Sequence, residues 1–251
     1  MVDGLVGSEM CIRDRFSSEG VDAAGVTTSH GVGVQVSIDE GGQLTSSWQS
    51  KSSRSKITQA NECVARAVQW ANLTRDPIKV ETSGNDSVVM MTSEGFSPLF
   101  SVVVPNAIRG EKLVREESFW SGHMGNNVIA SDLSLVDNAR VPGGRSSGAR
   151  DDEGVPTRKN SLIEQGRLVG SLWSTRDAAQ QIAEGRIDIA TSTGSAIRSG
   201  HQSPPVSGCS NLFLTSSQKG RSYEERLEMI DDGYIVNLSL IHISEPTRPS
   251  T

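Results

Sequence analysis

Asn160-Ser-Leu-Ile-Glu-Gln-Gly-Arg-Leu-Val-Gly-Ser-Leu-Trp173 is the stretch on which the fold turns. Residues 160–163 and 167–173 are two strand-like runs. Glu164-Gln165-Gly166 between them reads as a three-residue hairpin turn, with glycine available for the left-handed position. Thr175 then predicts a helix cap, Ala178, Ala179 and Ile182 follow at helical spacing, and Gly185 stops the helix. Two strands closed by a tight turn are antiparallel, and the helix follows both instead of joining them. That order is not a βαβ crossover. Where strands and helices mix in this way along a chain, the fold class is α+β.

Upstream residues agree. Gly31-Val-Gly-Val-Gln-Val-Ser-Ile38 puts Val32, Val34, Val36 and Ile38 on one face, the period of a half-buried strand. Asp39-Glu-Gly-Gly42 is a tight turn, and residues 43–50 return as a second strand. Ile57, Ala60, Val64, Ala67, Val68 and Ala71 predict an amphipathic helix over 56–71. Residues 87–91, Ser-Val-Val-Met-Met, predict a short buried strand. Ser97-Pro98 predicts a helix start, with serine capping and proline tolerated in the first turn. Pro105 lacks an N–H and clashes with the preceding turn, which predicts an end or kink near Val104.

Residues 141–154 are rich in glycine, arginine, serine and aspartate, which predicts a mobile loop or a boundary. Further on, residues 192–207 read as irregular and 211–215 as a strand. A helix over 222–231 is opened by a capping box of Ser222 and Glu225 and ended by Gly233. Residues 234–236 begin another strand.

The two ends stand apart. Val6-Gly-Ser-Glu-Met-Cys-Ile-Arg-Asp-Arg15 and Leu238-Ser-Leu-Ile-His-Ile-Ser-Glu-Pro-Thr-Arg248 look unrelated as protein. Yet residues 10–14 can be coded ATG TGT ATA AGA GAC, whose reverse complement in a shifted frame encodes Ser-Leu-Ile-His, as at 239–242. One inverted DNA element, resembling a transposon-end sequencing adapter, explains both. Residues 1–15 and 238–251 are therefore expected to be an adapter artefact and are set aside, with Cys11 and His242. What remains reads as an internal fragment.

The chain carries 24 basic and 30 acidic residues, net charge −6. It has no Lys/Arg cluster interleaved with aromatics, so nucleic acid is not an expected partner. No apolar run approaches the roughly 20 residues a bilayer needs, so no membrane partner is expected either. Cys63 and Cys209 are far apart and fit neither a metal nor a disulfide framework, which suits buried thiols in a reducing, cytoplasmic compartment.

Four short pieces give a more specific reading: Asp152-Glu153-Gly154 followed by Thr157; Leu162-Ile163-Glu164-Gln165-Gly166-Arg167-Leu168; Ala178 in its helix; and Ser192-Thr193-Gly194-Ser195-Ala196. In this order and spacing they resemble the signature of the TldD/PmbA family of peptidase-related proteins. Glu117-Ser118-Phe119 and the upstream hairpin and helix agree with that family's central region. The resemblance implies an α+β fold, with residues 16–140 as the central α/β region and 141–237 as the start of the β-rich C-terminal domain. It covers residues 31–236 and leaves out the family's C-terminal third and most of its N-terminal domain.

The family's active members bind zinc through H-E-x-x-x-H on the helix after the buried strand. Imidazoles on adjacent turns reach one ion, and the neighbouring carboxylate takes a proton from bound water. The matching stretch here is Ser101-Val102-Val103-Val104-Pro105-Asn106, with degenerate positions Ser101, Val102 and Asn106. The resemblance therefore implies no catalytic residue, metal or cofactor in this chain, and zinc in a TldD-like partner subunit. It implies a PmbA-like (TldE-like) role in proteolysis with small or unfolded peptides as substrate.

By the same resemblance Asp152, Glu153 and Gly154 line the substrate cleft. Read as residues alone, Asp151, Asp152 and Glu153 suit either a cation or a solvated turn. Thr193, Gly194 and Ser195 suit either backbone donation to a peptide carbonyl or an anion, or a plain loop. His123 in its glycine loop, His30 and His201 are more often solvated than ligands. Ser101 and Ser195 have no visible base for nucleophilic work. The alternative is a divergent metallopeptidase drawing on the absent C-terminal segment together with Asp152, Glu153 or His123.

Overall fold

The computed structural model describes residues 2–237 apart from 17, 19, 21, 42, 58, 76–87, 201 and 231–232. His201 thus lies outside the described residues, as do residues 238–251.

The first unit is an antiparallel sheet of β1 (Val2–Phe16), β2 (Asp22–Glu40) and β3 (Gln43–Ser53), in that order. The expected hairpin is present and longer than its periodicity indicated, with Gly41 at φ 62 in the turn. α1 (Ala60–Leu73) packs Cys63, Ala67 and Ala71 onto Val32, Val34 and Val36, forming one of two hydrophobic clusters among the described residues. It starts later than the expected residue 56. The set-aside N-terminal segment has a place here as β1, paired with β2 from Val2↔Val36 to Phe16↔Asp22. Its described side chains, at 3–11 and 16, are all exposed, so it adds backbone pairing and nothing to the cluster.

The second unit joins distant segments. β4 (Val88–Met91) pairs in parallel with β11 (Gly233–Val236). Gly233 therefore opens a strand, where the sequence placed it at a helix end. β4 is not the buried strand expected, since Val88 and Val89 are 52% and 55% exposed. α2 (Ser93–Ala107) follows. It opens at Thr92, whose hydroxyl accepts from the Gly95 N–H, and not at Ser97. Both Pro98 and Pro105 lie inside it. The expected end near Val104 does not occur. The Ile108 N–H reaches the Val104 carbonyl at 3.2 Å and closes a last turn that does not need the amide proline lacks.

The third unit is a four-stranded sheet in the order β10-β5-β6-β7, built from β5 (Leu133–Asn138), β6 (Lys159–Glu164), β7 (Arg167–Leu168) and β10 (Leu212–Ser216). α3 (Gly110–Val114) and α4 (Thr175–Ala183) pack against each other, and β8 (Ala196–Ile197) pairs with β9 (Val206–Ser207), which α4 also contacts. α5 (Tyr223–Leu227) carries the expected capping box and is shorter than foreseen. The β6–β7 hairpin has two turn residues instead of three, because Glu164 itself pairs with Arg167. Gln165 (φ 49) and Gly166 (φ 84) are both left-handed, as a type I′ turn requires.

Leu135, Leu162, Ile163, Leu168 and Leu172 are at most 1% exposed and form the second cluster with Ala107, Ile108 and Trp120. Each such side chain contributes roughly 2 kcal/mol of burial. The cluster draws on residues either side of 141–154, a stretch tied down by bonds such as Gly148 N–H to Ala139 O (3.1 Å) and the Arg54 guanidinium to Ser147 O (2.6 Å). Strands and helices are segregated without βαβ alternation, and the fold is α+β. No helix among the described residues is long and apolar enough to cross a membrane.

Beside α4, Glu111 is 4% exposed. Its Oε1 accepts from the Arg109 guanidinium at 2.5 Å, while no described residue donates to Oε2. Burial raises its pKa above 4.5, outweighing the lowering by Arg109. A raised folded pKa gives stability that is fully present below the unfolded value and lost as pH rises through the folded one. Glu111→Gln removes that loss. The difference in melting temperature, variant minus parent, is therefore expected to grow more favourable as pH is raised above 4.5. A flat or falling difference in thermal melts would refute the assignment. Asp137 and Asp151, also raised by burial, are common to both proteins and cancel.

Candidate functional site

The predicted site residues fall in two loops that meet at the start of α4. In the first, buried Asp151 accepts three backbone N–H groups. Oδ1 takes those of Glu153 and Val155, both at 2.9 Å, and Oδ2 takes that of Ala196 at 3.0 Å. Burial still raises its pKa, since desolvation exceeds what the three donors return. Gly154, at φ 86, lets the turn close so that its N–H reaches the Asp151 carbonyl at 3.1 Å.

Asp152 and Glu153 are committed as well. Asp152 Oδ2 accepts from the Arg198 N–H at 2.8 Å. Glu153 accepts from the N–H groups of Thr175 (2.5 Å) and Arg176 (3.0 Å) at the head of α4, where a carboxylate is favoured by unpaired amides and the helix dipole. Ser174, not Thr175, is the side-chain cap, accepting from the Asp177 N–H at 3.0 Å. The three carboxylates of 151–153 are thus acceptors for backbone.

In the second loop the Thr193 N–H donates to Trp173 O (3.0 Å), and its hydroxyl accepts from the Trp173 N–H (2.8 Å). The Gly194 N–H donates to Ser192 Oγ at 3.2 Å. Two of the three amides considered as peptide donors are therefore already used, that of Thr193 by Trp173 and that of Gly194 within the loop. Gly194 sits at φ 68 against the Pro156 carbonyl and Thr157, a close approach that seats this loop on the first. Ser195 Oγ has Thr193 Oγ1 at 3.0 Å and Asn160 Nδ2 at 3.3 Å, and neither is a base.

Sequence reading missed the groups that fasten the loops. Arg158 holds the Thr193 carbonyl at 3.1 Å and also bonds the Ser192 carbonyl. Asn160, two residues on along β6, adds a bond to Thr193 O at 3.3 Å. The i, i+2 spacing of two polar residues beside a hydrophobic strand was the available signal. Asp177 Oδ2 accepts from the N–H (2.6 Å) and hydroxyl (2.8 Å) of Ser207, tying α4 to β9. His123 lies exposed in its turn. Among the described residues no three of His, Cys, Asp or Glu gather as a metal cluster would.

The positions matching the zinc motif form a separate place on α2. Ser101, Val102 and Asn106 are all exposed. Ser101 Oγ donates to Pro98 O (2.9 Å) and Asn106 Nδ2 to Val102 O (3.2 Å), so both polar groups turn back onto their own helix. A hydroxyl, an isopropyl group and a carboxamide do not make a zinc donor set. These residues do not fit the metal.

Fold and site together define an α+β protein with two loops fastened by carboxylates at the head of α4 and, at a separate place on α2, metal-motif positions that carry no zinc donor set. Comparison with known proteins gives the class its family. Residues 84–248 match the PmbA/TldA metallopeptidase C-terminal domain, and the chain belongs to the TldD/PmbA family. TldE from Thermococcus kodakarensis has a similar structure, with a TM-score of 0.78 and 26% identity over 92% of this chain and 50% of that one. The uncharacterized protein MJ0231 of Methanocaldococcus jannaschii is 24% identical over 87% of this chain and 49% of its own length. A metalloprotease TldD homolog of Haemophilus influenzae is 27% identical over 48% of this chain and 23% of its own. The chain thus spans about half or less of these relatives' lengths.

Proposed function

We propose that this chain is the non-zinc-binding subunit of a two-component peptidase, binding small or unfolded peptides and acting in proteolysis with a TldD-like zinc-bearing partner. The observation that carries the reading is the donor set of α2. Family membership makes zinc the expected metal, and Ser101, Val102 and Asn106 cannot ligate it. Likeness to TldE supports the assignment to the non-zinc side. The 151–154 and 192–196 loops would serve as a fixed wall for the peptide, since their carboxylates are already bound to backbone and so do not act as acids or bases. The free thiols of Cys63 and Cys209 suit a reducing cytoplasm.

Metal analysis and peptide hydrolysis on the whole protein, alone and mixed with its zinc-bearing relative, test the reading. Expected are no stoichiometric zinc and no hydrolysis alone, with hydrolysis on mixing. Stoichiometric metal and turnover by the single protein would overturn it in favour of a self-sufficient metallopeptidase.

A further inference from the structure

Residues 139–150 contain Arg140, Arg145 and Arg150 and no acid, in a chain whose net charge is −6. All three side chains are exposed. The fold brings in a fourth arginine. Arg54, just past β3, reaches the same loop, where its Nη2 donates to the carbonyls of Arg145 (2.9 Å) and Ser147 (2.6 Å). Arg140 Nη1 donates to the Ala149 carbonyl at 3.3 Å, and Arg150 Nη1 to that of Gly154 at 2.8 Å. Carbonyls two residues apart are at most about 7 Å from each other, so the Arg54 and Arg140 guanidinium groups are near neighbours.

The partners of these groups set them apart from the other arginines. Arg66, Arg75, Arg109, Arg115 and Arg186 each meet a carboxylate. Arg54, Arg140 and Arg150 meet carbonyls instead, and among the described residues none of the four forms an ion pair. A carbonyl satisfies an N–H without cancelling the charge, so like charges gathered on one loop repel each other and attract a counter-charge. The next carboxylates along the chain are held by backbone amides, Asp151 by three, Asp152 by that of Arg198, and Glu153 by those at the head of α4. A guanidinium has five donors in a planar fork that matches a carboxylate, and Arg140 and Arg150 make one described bond each. The patch borders the first loop, since Arg150 precedes Asp151 and the Ala149 carbonyl also accepts the Thr157 N–H at 3.1 Å.

We propose that the 139–150 loop and Arg54 bind the carboxylates of an acidic unfolded peptide, so that this chain selects segments rich in Asp and Glu. No Phe, Trp or Tyr lies in residues 138–160 to stack a base, which favours a peptide over single-stranded nucleic acid. The choice of a peptide rests on the peptide-binding reading above; the demand for an anion does not.

Calorimetric titration of the full chain with a peptide of glutamate, glycine and serine tests it, against the same peptide with glutamine in place of glutamate. Saturable binding of the glutamate peptide is expected, weakening as salt is added, with the glutamine peptide about tenfold or more weaker. Arg145→Glu should weaken the glutamate peptide about tenfold. The Arg145 side chain makes no described bond, so this variant reverses a charge without undoing a tie of the loop. Arg167→Glu makes the same change at an exposed position on β7 and should leave the affinity unaltered. Equal binding of the two peptides, parental affinity in Arg145→Glu, or an equal loss in Arg167→Glu overturns the proposal. Tighter binding of a thymidine oligonucleotide than of the glutamate peptide overturns it in favour of nucleic acid. Neither a partner nor turnover is read, so absent hydrolysis leaves this surface standing, and absent binding leaves the partner-subunit reading standing.

Discussion

Asp151→Ala is expected to destabilise the chain by about 3 kcal/mol, because each buried donor left without its acceptor costs roughly 1–3 kcal/mol and part of that is recovered by water. Three N–H groups lose their partner at once, those of Glu153, Val155 and Ala196. The last ties the 151–154 turn to the 192–196 loop, so the loss is cooperative across the site. Asp151→Asn separates this account from a simple effect of charge. An amide keeps one oxygen for Glu153 and Val155 but turns an N–H₂ toward the Ala196 N–H, donor against donor. The Asn variant is therefore expected to be nearly as unstable as the Ala variant by urea denaturation. Asn within about 0.5 kcal/mol of the parent, the range of an ordinary surface change, would sink it.

The second large effect is expected at Gly194. Its φ of 68 lies in the left-handed region, where a Cβ costs roughly 1–2 kcal/mol. That Cβ would also press on the Pro156 carbonyl and the Thr157 backbone, and overpacking of this kind costs typically 1–3 kcal/mol. Gly194→Ala should therefore destabilise by about 3 kcal/mol on the two contributions together. Gly185 supplies the comparison, with φ 66 and nothing within 4 Å of its would-be Cβ. Gly185→Ala should show the backbone effect alone, about 1 kcal/mol. Equal losses at the two positions would mean that the loops are not seated on each other as described. If Gly194→Ala retains most of its stability but loses peptide-dependent activity with the zinc-bearing partner, the loop pair is part of the binding wall as proposed.

Much of the site was legible in residue order, and the geometry then altered what it means. Asp152, Glu153 and the 193–195 residues lie in two loops that meet, which their separate readings in the sequence did not state. Their carboxylates looked like candidate ligands because Asp and Glu are acceptors in any context. Only the folded chain shows those acceptors already filled by Arg198, Thr175 and Arg176 amides. Conversely, Arg158 and Asn160 passed unnoticed. A polar residue on a strand carries no sign of which distant carbonyl it will meet.

What the sequence determined by itself is whatever depends on neighbours a few residues apart. The valines of 32–36 alternate and are buried together, the helices over residues 60–73 and 175–183 follow their apolar spacing, and Ser222 and Glu225 form their capping box. The missing zinc donors are of the same kind, since side-chain chemistry is written directly in the residues. Tertiary structure decided what joins distant segments. The parallel pairing of Val88–Met91 with Gly233–Val236 could not be read from either strand, because each edge offers the same row of N–H and C=O groups to any partner. Proline did not end α2, because the following turn closes through Ile108 and Val104 while Ala107 and Ile108 are held in the core. A short-range rule sets a preference of a few kcal/mol per site, and burial summed over a shared core can override it.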